Sequence, residues 1–574
     1  MLGRARRWPR WAAVLLGVVA VGLGALLALR PFASLATLLA LVAVVCVVNG
    51  VVELVSAPDR RLPVVAGACW LIAALVVVGW PGLGLRALAV VVGIALVVAG
   101  VLRVVAAVRG TTDERAADAL LGVAEIGFGV LALALPDVTL LVVAVVFGAR
   151  TVIFGVALLV VGGVRGTAHP SPSGRPPWLR GLRVVVAAAA VVAAFALLVV
   201  AGRVRDAAPV VDAFYSAPGS LPAHPGELLR AEPYATAVPA GSEAWRILYT
   251  STRDDRTPVL ASAVVVAARN RPSGPRPVVL WAHGTTGFAQ NCAPSLLANG
   301  FSAGALPALD RITGSGWVLV APDYVGLGTA APHPYLVGPP VARSVLDAVR
   351  AARKLPDISL SDRTVVWGHS QGGGAALWTG GIAASYAPDV PLAGVAALAP
   401  ASDLPALVGN LDAVPGGSIF ASFVVAGYTS TYPDVRFGDY VRPEAQVFVR
   451  AIAGRCLAEP EVLLSVGSAL AFDGSIFRTS PTTGAFGRRL RENVPVLRVA
   501  APLFVGQGLA DALVLPDRQA DYVRQLCRGG QQLEYRTYPG QDHVGVVGPQ
   551  SALVPDLLRW TADRFDGKPS PSTC

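Results

Sequence analysis

The hydrophobic pattern of this chain changes character near residue 200. Before that point Val, Ala, Leu and Gly form long runs almost free of acidic residues; after it, apolar and polar positions alternate over short distances. A helix needs ~20 mainly apolar residues to cross a ~30 Å hydrocarbon layer. Seven runs reach that length, at about 11–29, 32–56, 62–80, 84–108, 118–135, 138–163 and 184–201. Arg4, Arg6, Arg7 and Arg10 look like the charged start of a signal peptide, but further spans follow at once, which favours an uncleaved first span. Ionisable residues inside spans are costly. Glu53 and Arg103 lie near span ends and can reach the interface, whereas Glu125 and Arg150 sit deeper and are expected to pair across the third hairpin.

Cytoplasmic loops carry the excess of Arg and Lys. Arg4 to Arg10, then Arg60 and Arg61, then Arg109 and Arg115, then Arg165, Arg175, Arg180 and Arg183 occupy alternate sides from the short turns at Arg30-Pro31, Trp80-Pro81 and Leu135-Pro136. The N-terminus is therefore expected inside, and seven crossings place residues beyond about 203 outside. Pro31, Pro81 and Pro136 are each followed 19 residues later by Gly50, Gly100 and Gly155, an internal repeat of three helical hairpins. Across residues 10–165 this repeat resembles the HdeD-like family of small bacterial membrane proteins. The expected organisation is a membrane region over 1–165, a Pro/Ser/Gly-rich linker over 166–183, a seventh span at 184–201 acting as a tether, and a globular domain over 207–574.

The globular part alternates strand-like and helix-like runs. Strands are expected at Trp245 to Thr252, Val259 to Ala268, Pro277 to Ala282, Trp317 to Ala321, Thr364 to Gly368, Gly394 to Ala399, Pro502 to Gly506 and Leu533 to Tyr538. Helical periodicity at 341–354, 373–386, 516–527 and 555–565 separates the later ones, which argues for a mostly parallel sheet with helices on both faces. The strand Thr364-Val365-Val366-Trp367 runs into Gly368-His369-Ser370-Gln371-Gly372 and then a helix. The five-residue pattern alone is weak; the strand, turn and helix around it are what a nucleophile elbow requires.

A serine hydroxyl needs a base, and the base an orienting carboxylate. His543 is the only histidine after Ser370. Asp511, on the loop after the strand ending at Gly506, is preferred as the acid over Asp517 and Asp521, which fall in a helix, and Asp542, which adjoins the base. Two N–H donors should face the developing oxyanion, one from Gln371 and one from the loop Ala282 to Gly287, where the Thr285 amide is favoured and Thr286 is the alternative. His283, His369, Asp323 and Tyr335 are expected to have structural roles.

Charge and composition change this picture little. The net charge of +10 comes mostly from arginines, many of them between apolar runs, so it reads as membrane topology rather than nucleic-acid binding. Cys46 and Cys69 lie in apolar runs. Cys292, Cys456, Cys527 and Cys574 lie in the polar part; an exported domain would join them as two disulfides, and of three possible pairings Cys292 with Cys456 and Cys527 with Cys574 is our expectation. Free thiols would fit a cytoplasmic domain. No CxxC or Cys/His cluster occurs, so neither a metal nor an organic cofactor is expected.

Five motifs occur in order: Trp281 to Gly287, Cys292-Ala-Pro-Ser295, Pro322 to Gly328, His333-Pro-Tyr-Leu336 and Gly368 to Gly372. Together, over about 210–565, they resemble the secretory lipase family of α/β-hydrolases. That resemblance implies carboxylester hydrolysis, often of acylglycerols, and a helical lid, for which residues 404–495 leave room. The sequence thus leads to a membrane-anchored serine hydrolase at the plasma membrane, acting on lipid or envelope esters, with a lipid bilayer and an ester as its partners. An acyltransferase or peptidase of the same fold, or a membrane scaffold or transport module with an accessory hydrolase, are the alternatives.

Overall fold

The computed structural model describes residues 10–29, 61–79, 85–110, 114–134 and 177–574 apart from 254–256, 271–273 and 473, with isolated positions within 40–54 and 152–159. The expected spans 32–56 and 138–163, together with Arg4 to Arg7, Arg150 and the turns at Pro31, Pro81 and Pro136, lie largely or wholly outside them. The chain divides into two compact units, Met1–Ala207 with Pro443–Phe448 and Val466–Gly474, and Ala208–Arg442 with Val449–Ser465 and Ser475–Cys574.

In the first unit, helices run over Arg10–Leu29 (α1), Arg61–Gly79 (α2), Leu85–Val108 (α3), Arg115–Ala134 (α4) and Pro177–Asp206 (α5). Three stretches among the described residues, Val90–Val108, Arg115–Ala134 and Gly181–Val204, are long and apolar enough to cross a membrane. Without a hydrophobic driving force between helices in lipid, close backbone approach at small residues does the packing. Gly100 and Gly122 cross in this way: a Cβ added to either would lie within 2.5 to 2.7 Å of the other's carbonyl oxygen. Gly50 with Gly67, and Gly155 with Gly17, repeat the crossing.

Helical side chains lean toward the N-terminus, so Arg103 and Glu125, each three residues beyond a crossing glycine, lean back over the same gap. Arg103 Nη2 lies 3.1 Å from Glu125 Oε1. Glu125 is therefore held by Arg103, a partner the sequence reading assigned to the interface instead. Helix α5 also departs from expectation, since it begins at Pro177, inside the expected linker; proline's fixed φ suits a first helical turn. It docks on α4, with Arg183 bonded to Glu114 at 2.7 Å and Asp118 at 3.0 Å.

The second unit is built on a nine-stranded sheet: Leu228–Pro233 (β1), Ser242–Thr252 (β2), Pro258–Ala268 (β3), Arg276–Ala282 (β4), Val318–Pro322 (β5), Leu360–His369 (β6), Leu392–Leu398 (β7), Leu503–Gly508 (β8) and Glu534–Tyr538 (β9). The spatial order is β1-β2-β3-β5-β4-β6-β7-β8-β9. The first three strands and the β3–β5 pair are antiparallel, and all pairs from β5 to β9 are parallel. Strand residues alternate between faces, and both faces are covered. Val278, Leu280 and Ala282 join one core with Gly338–Ala352 (α6), Gln371–Tyr386 (α7) and Pro516–Arg528 (α8), while Val279 and Trp281 join another with Leu553–Phe565 (α9). Near-continuous apolar strands follow from that double burial.

Between β7 and β8 the chain forms helices from Leu404 to Glu492. Disulfides join Cys292 to Cys456 and Cys527 to Cys574, the expected pairing, and Cys46 and Cys69 are free.

Candidate active site

The parallel strands bring three loops to one edge of the sheet. Strand β6 ends at His369, and Ser370 follows with φ 57° and ψ −119°, a strained setting for a residue with a side chain, before α7 starts at Gln371. Neighbouring glycines make the turn possible. A Cβ on Gly368 would lie 2.0 Å from the Gly372 carbonyl oxygen, and one on Gly372 would lie 1.9 Å from that of Ala282. The turn is pinned by the Ser370 N–H on the Leu398 carbonyl, at 3.0 Å, and by the Ala401 N–H on the Ser370 carbonyl, at 2.9 Å.

The loops after β8 and β9 are stitched together. Leu509 N–H donates to the Tyr538 carbonyl at 3.0 Å and Ala510 N–H to that of Gln541 at 2.9 Å, while the bare Cα of Gly508 lets the second loop approach. This places Asp511 beside His543. His543 Nδ1 lies 2.8 Å from Asp511 Oδ2, and His543 Nε2 lies 2.8 Å from Ser370 Oγ. A carboxylate acceptor on Nδ1 fixes the tautomer with Nδ1 protonated, leaving Nε2 as the acceptor that faces the serine hydroxyl.

Asp511 is buried and receives four donors. Oδ1 accepts the Leu513 and Val514 N–H groups, at 2.9 and 2.8 Å, and Oδ2 accepts Gln507 Nε2, at 3.1 Å, besides His543. Its rivals are engaged elsewhere: Asp542 accepts from the Val544 and Gly545 N–H groups of its own turn, and Asp521 pairs with Arg524.

Gln507 was not singled out by the sequence. It is an amide on a strand that otherwise reads as core, and that mismatch was the available signal. His369 also does more than fill space: its Nε2 lies 2.8 Å from the His543 carbonyl oxygen, and burial pushes its imidazole down to about 3, with the neighbouring His543 adding to the effect.

Of the two residues expected to offer oxyanion donors, one starts the helix after the elbow and the other lies on a loop packed against it. Gln371 is buried, and as the first residue of α7 its N–H has no intrahelical acceptor. Its side-chain Nε2 donates to His333 Nε2 at 3.0 Å, while His333 Nδ1 faces the Val325 carbonyl at 3.0 Å. Thr285 sits in the loop after β4, a strand in register with β6 so that Ala282 pairs with Gly368. Gly284 spends its own N–H on the Gly304 carbonyl, at 2.8 Å, and lies against His369. Beside Gln371, a small apolar pocket is lined by Leu336, Val337, Val341, Ala375, Trp378 and Leu404.

His283, Asp323 and Tyr335 are tied into the loops that carry the site. Burial pushes His283 down to about 4, so the ring is neutral with a single N–H, which the shorter contact assigns to the Gly284 carbonyl at 2.6 Å; the other nitrogen faces the Asp323 carbonyl at 3.2 Å, and the ring stacks on Tyr324. Asp323 is fully buried among Ser262, Ser295 and the Ser295 N–H, with no cation bonded to it among the described residues, and burial pushes its carboxyl up to about 6. Among the described residues no cluster of side chains is arranged to hold a metal ion.

Residues 306–573 match the family described as secretory lipase, and residues 15–62, 65–119 and 120–199 match DUF308, a short repeat of unknown function. The chain is 26% identical to Lipase 6 of Candida albicans, over 64% of this chain and 83% of that protein. It is also 26% identical to the Mycobacterium tuberculosis protein named probable inactive lipase MT1628, over 64% and 84%. Candida antarctica lipase A in its closed state superposes with a TM-score of 0.52 at 21% identity, over 63% of this chain and 87% of that one. The esterase LipA of Xanthomonas oryzae superposes with a TM-score of 0.50 at 19% identity, over 60% and 100%. The chain therefore carries a domain of the secretory lipase family on an α/β-hydrolase fold, behind an N-terminal region of DUF308 repeats, the HdeD-like membrane family.

Proposed function

We propose that this protein is a membrane-anchored serine carboxylester hydrolase whose domain faces the outside of the cell. The carrying observation is the unbroken chain from Ser370 Oγ through the His543 ring to Asp511, both links at 2.8 Å. In the reaction Ser370 Oγ attacks the ester carbonyl while His543 Nε2 takes its proton and Asp511 stabilises the imidazolium. The oxyanion of the tetrahedral intermediate accepts from the Gln371 and Thr285 amides. His543 then gives its proton to the leaving alcohol, and a water activated by the same ring releases the acid and restores Ser370.

No step needs a metal or an organic cofactor. The helices between β7 and β8 occupy the insertion expected of a lid. The two disulfides favour an oxidising, exported environment, as do the arginine-rich loops of the expected inward side. One relative bears the name of an inactive lipase; in this chain the serine, histidine and aspartate are all present and bonded.

Full-length protein in detergent or nanodiscs should hydrolyse short-chain p-nitrophenyl esters, and Ser370→Ala should abolish that activity with folding retained. Hydrolysis undiminished in the alanine variant would remove the proposal.

A further inference from the structure

We infer that the Thr285 hydroxyl is a third donor to the oxyanion, aimed by the Tyr335 phenol as a positioning residue. The inference rests on the serine hydrolase reading above and deepens it. Thr285 Oγ1 and Tyr335 Oη lie 2.8 Å apart, and the distance alone leaves the direction of donation open.

Bookkeeping of protons resolves it. Tyr335 is 3% exposed, with its ring against His333 and Phe423 and the backbone of Gly427 close on its Cβ. A buried hydroxyl proton needs an acceptor, and among the described residues the only partner of this one is Thr285 Oγ1. Tyr335 therefore donates and Thr285 accepts. Burial pushes the phenol further above its ordinary range, so it stays a protonated donor at working pH. The Thr285 hydroxyl is left with its own proton, and Oγ1 makes no other hydrogen bond among the described residues. Thr285 is half-buried, so that proton is available to a bound molecule.

The loop that carries it packs against the elbow. The neighbouring groups of the loop are spent: the Gly284 N–H on Gly304, the Thr286 hydroxyl on the Cys292 carbonyl, and the Thr286 carbonyl on the Leu457 N–H. The loop rests on the elbow, since a Cβ on Gly372 would meet the Ala282 and His283 carbonyls. The segment His333-Pro334-Tyr335 braces both halves of the hole, His333 through the Gln371 side chain and Tyr335 through Thr285.

A fixed O–H dipole gains more from a full negative charge than from a ground-state carbonyl, so this donor acts on kcat rather than KM. No proton is transferred; the O–H···O⁻ bond forms with the tetrahedral intermediate and dissolves when it collapses.

The test uses the full-length protein on a p-nitrophenyl ester. Removing one oxyanion donor costs ~100- to 1000-fold in the best-studied case; in a hole of three donors Thr285→Val should lower kcat roughly 10- to 100-fold with KM changed less than about threefold. Thr285→Ser should recover most of the loss. Tyr335→Phe should cost about three- to tenfold alone and add little on top of Thr285→Val, as coupled positions do. A Thr285→Val enzyme within about twofold of wild-type kcat, a serine variant no better than valine, or additive losses in the double variant would each overturn the inference. A wild-type protein that hydrolyses no ester and leaves Ser370 unlabelled would instead remove the underlying reading, an outcome separable from these. If the valine variant fails to fold, Tyr335→Phe decides by the same ratio of kcat to KM effects.

Discussion

His369 Nε2 donates to the backbone carbonyl of His543 across 2.8 Å, so the residue before the elbow serine holds the loop of the histidine that faces that serine. The direction follows from the acceptor, because a carbonyl oxygen demands an N–H. One such bond is worth about 1 kcal/mol, or roughly fivefold in a population. His369→Phe keeps a ring in place and loses the donor; we expect kcat to fall about five- to tenfold with KM nearly unchanged. His369→Gln should recover part of it. A loss confined to thermal stability would show that the bond does not position His543.

Asp511 and Asp542 separate cleanly by mutation. Asp511→Asn replaces a carboxylate by an amide that can present its NH2 to His543 and so favour the wrong tautomer, a change that costs ~10⁴ in kcat in a comparable triad. A drop of at least about a thousandfold is expected here. Asp542→Ala loses only turn bonds to Val544 and Gly545, so kcat should stay within about threefold. Reversal of the two effects, read in the same ester assay, would reassign the acid.

Asp323 makes stability depend on pH. Burial raises its carboxyl from 3.8 to about 6, so the stability tied to its protonated form is fully present below 3.8 and is lost as pH rises through about 6. At about 1.4 kcal/mol per pH unit that loss is at most about 3 kcal/mol. Asp323→Asn is neutral at every pH. Its stability relative to the wild type should therefore rise between pH 4 and 6 and level off above, as measured by denaturant unfolding; a flat difference across that range would contradict the assignment.

The glycine crossing of the membrane region is tested by contrast. Gly100→Val drives a side chain into the Gly122 carbonyl, whereas at Gly22 an added Cβ meets nothing within 4 Å among the described residues. In detergent the first substitution should lower the unfolding temperature of the full chain by several degrees, and Gly22→Val by less than about one. Equal shifts would show that the crossing does not hold α3 against α4.

Most of the candidate site was legible because its signals are local. A strand running into Gly-x-Ser-x-Gly, and a histidine without rivals, need no tertiary information. Strands β3 to β8 were read because doubly buried strands are largely apolar, and the more polar β2 and β9 from their β-branched and aromatic residues. β1 escaped because it is a partly exposed edge strand interrupted by Arg230 and Glu232, so it carries no long apolar run. The partners of the site escaped for a different reason. His333 and Tyr335 act through bonds to residues 38 and 50 positions away, which only the packed sheet brings together, whereas Gln507 reaches Asp511, four residues on, through a turn that no sequence pattern marks. The Arg103–Glu125 pair was missed likewise: it depends on where two glycines cross, which charge and hydropathy alone do not specify.

Fluorophosphonate labelling of intact cells, followed by peptide mapping, bears most directly on the central claim, because it reads the reactivity and the sidedness of one residue at once. The adduct should appear on Ser370 without permeabilising the cells and should vanish in His543→Ala. A wild-type protein that stays unlabelled even after permeabilisation, or an adduct on another residue, would contradict the account.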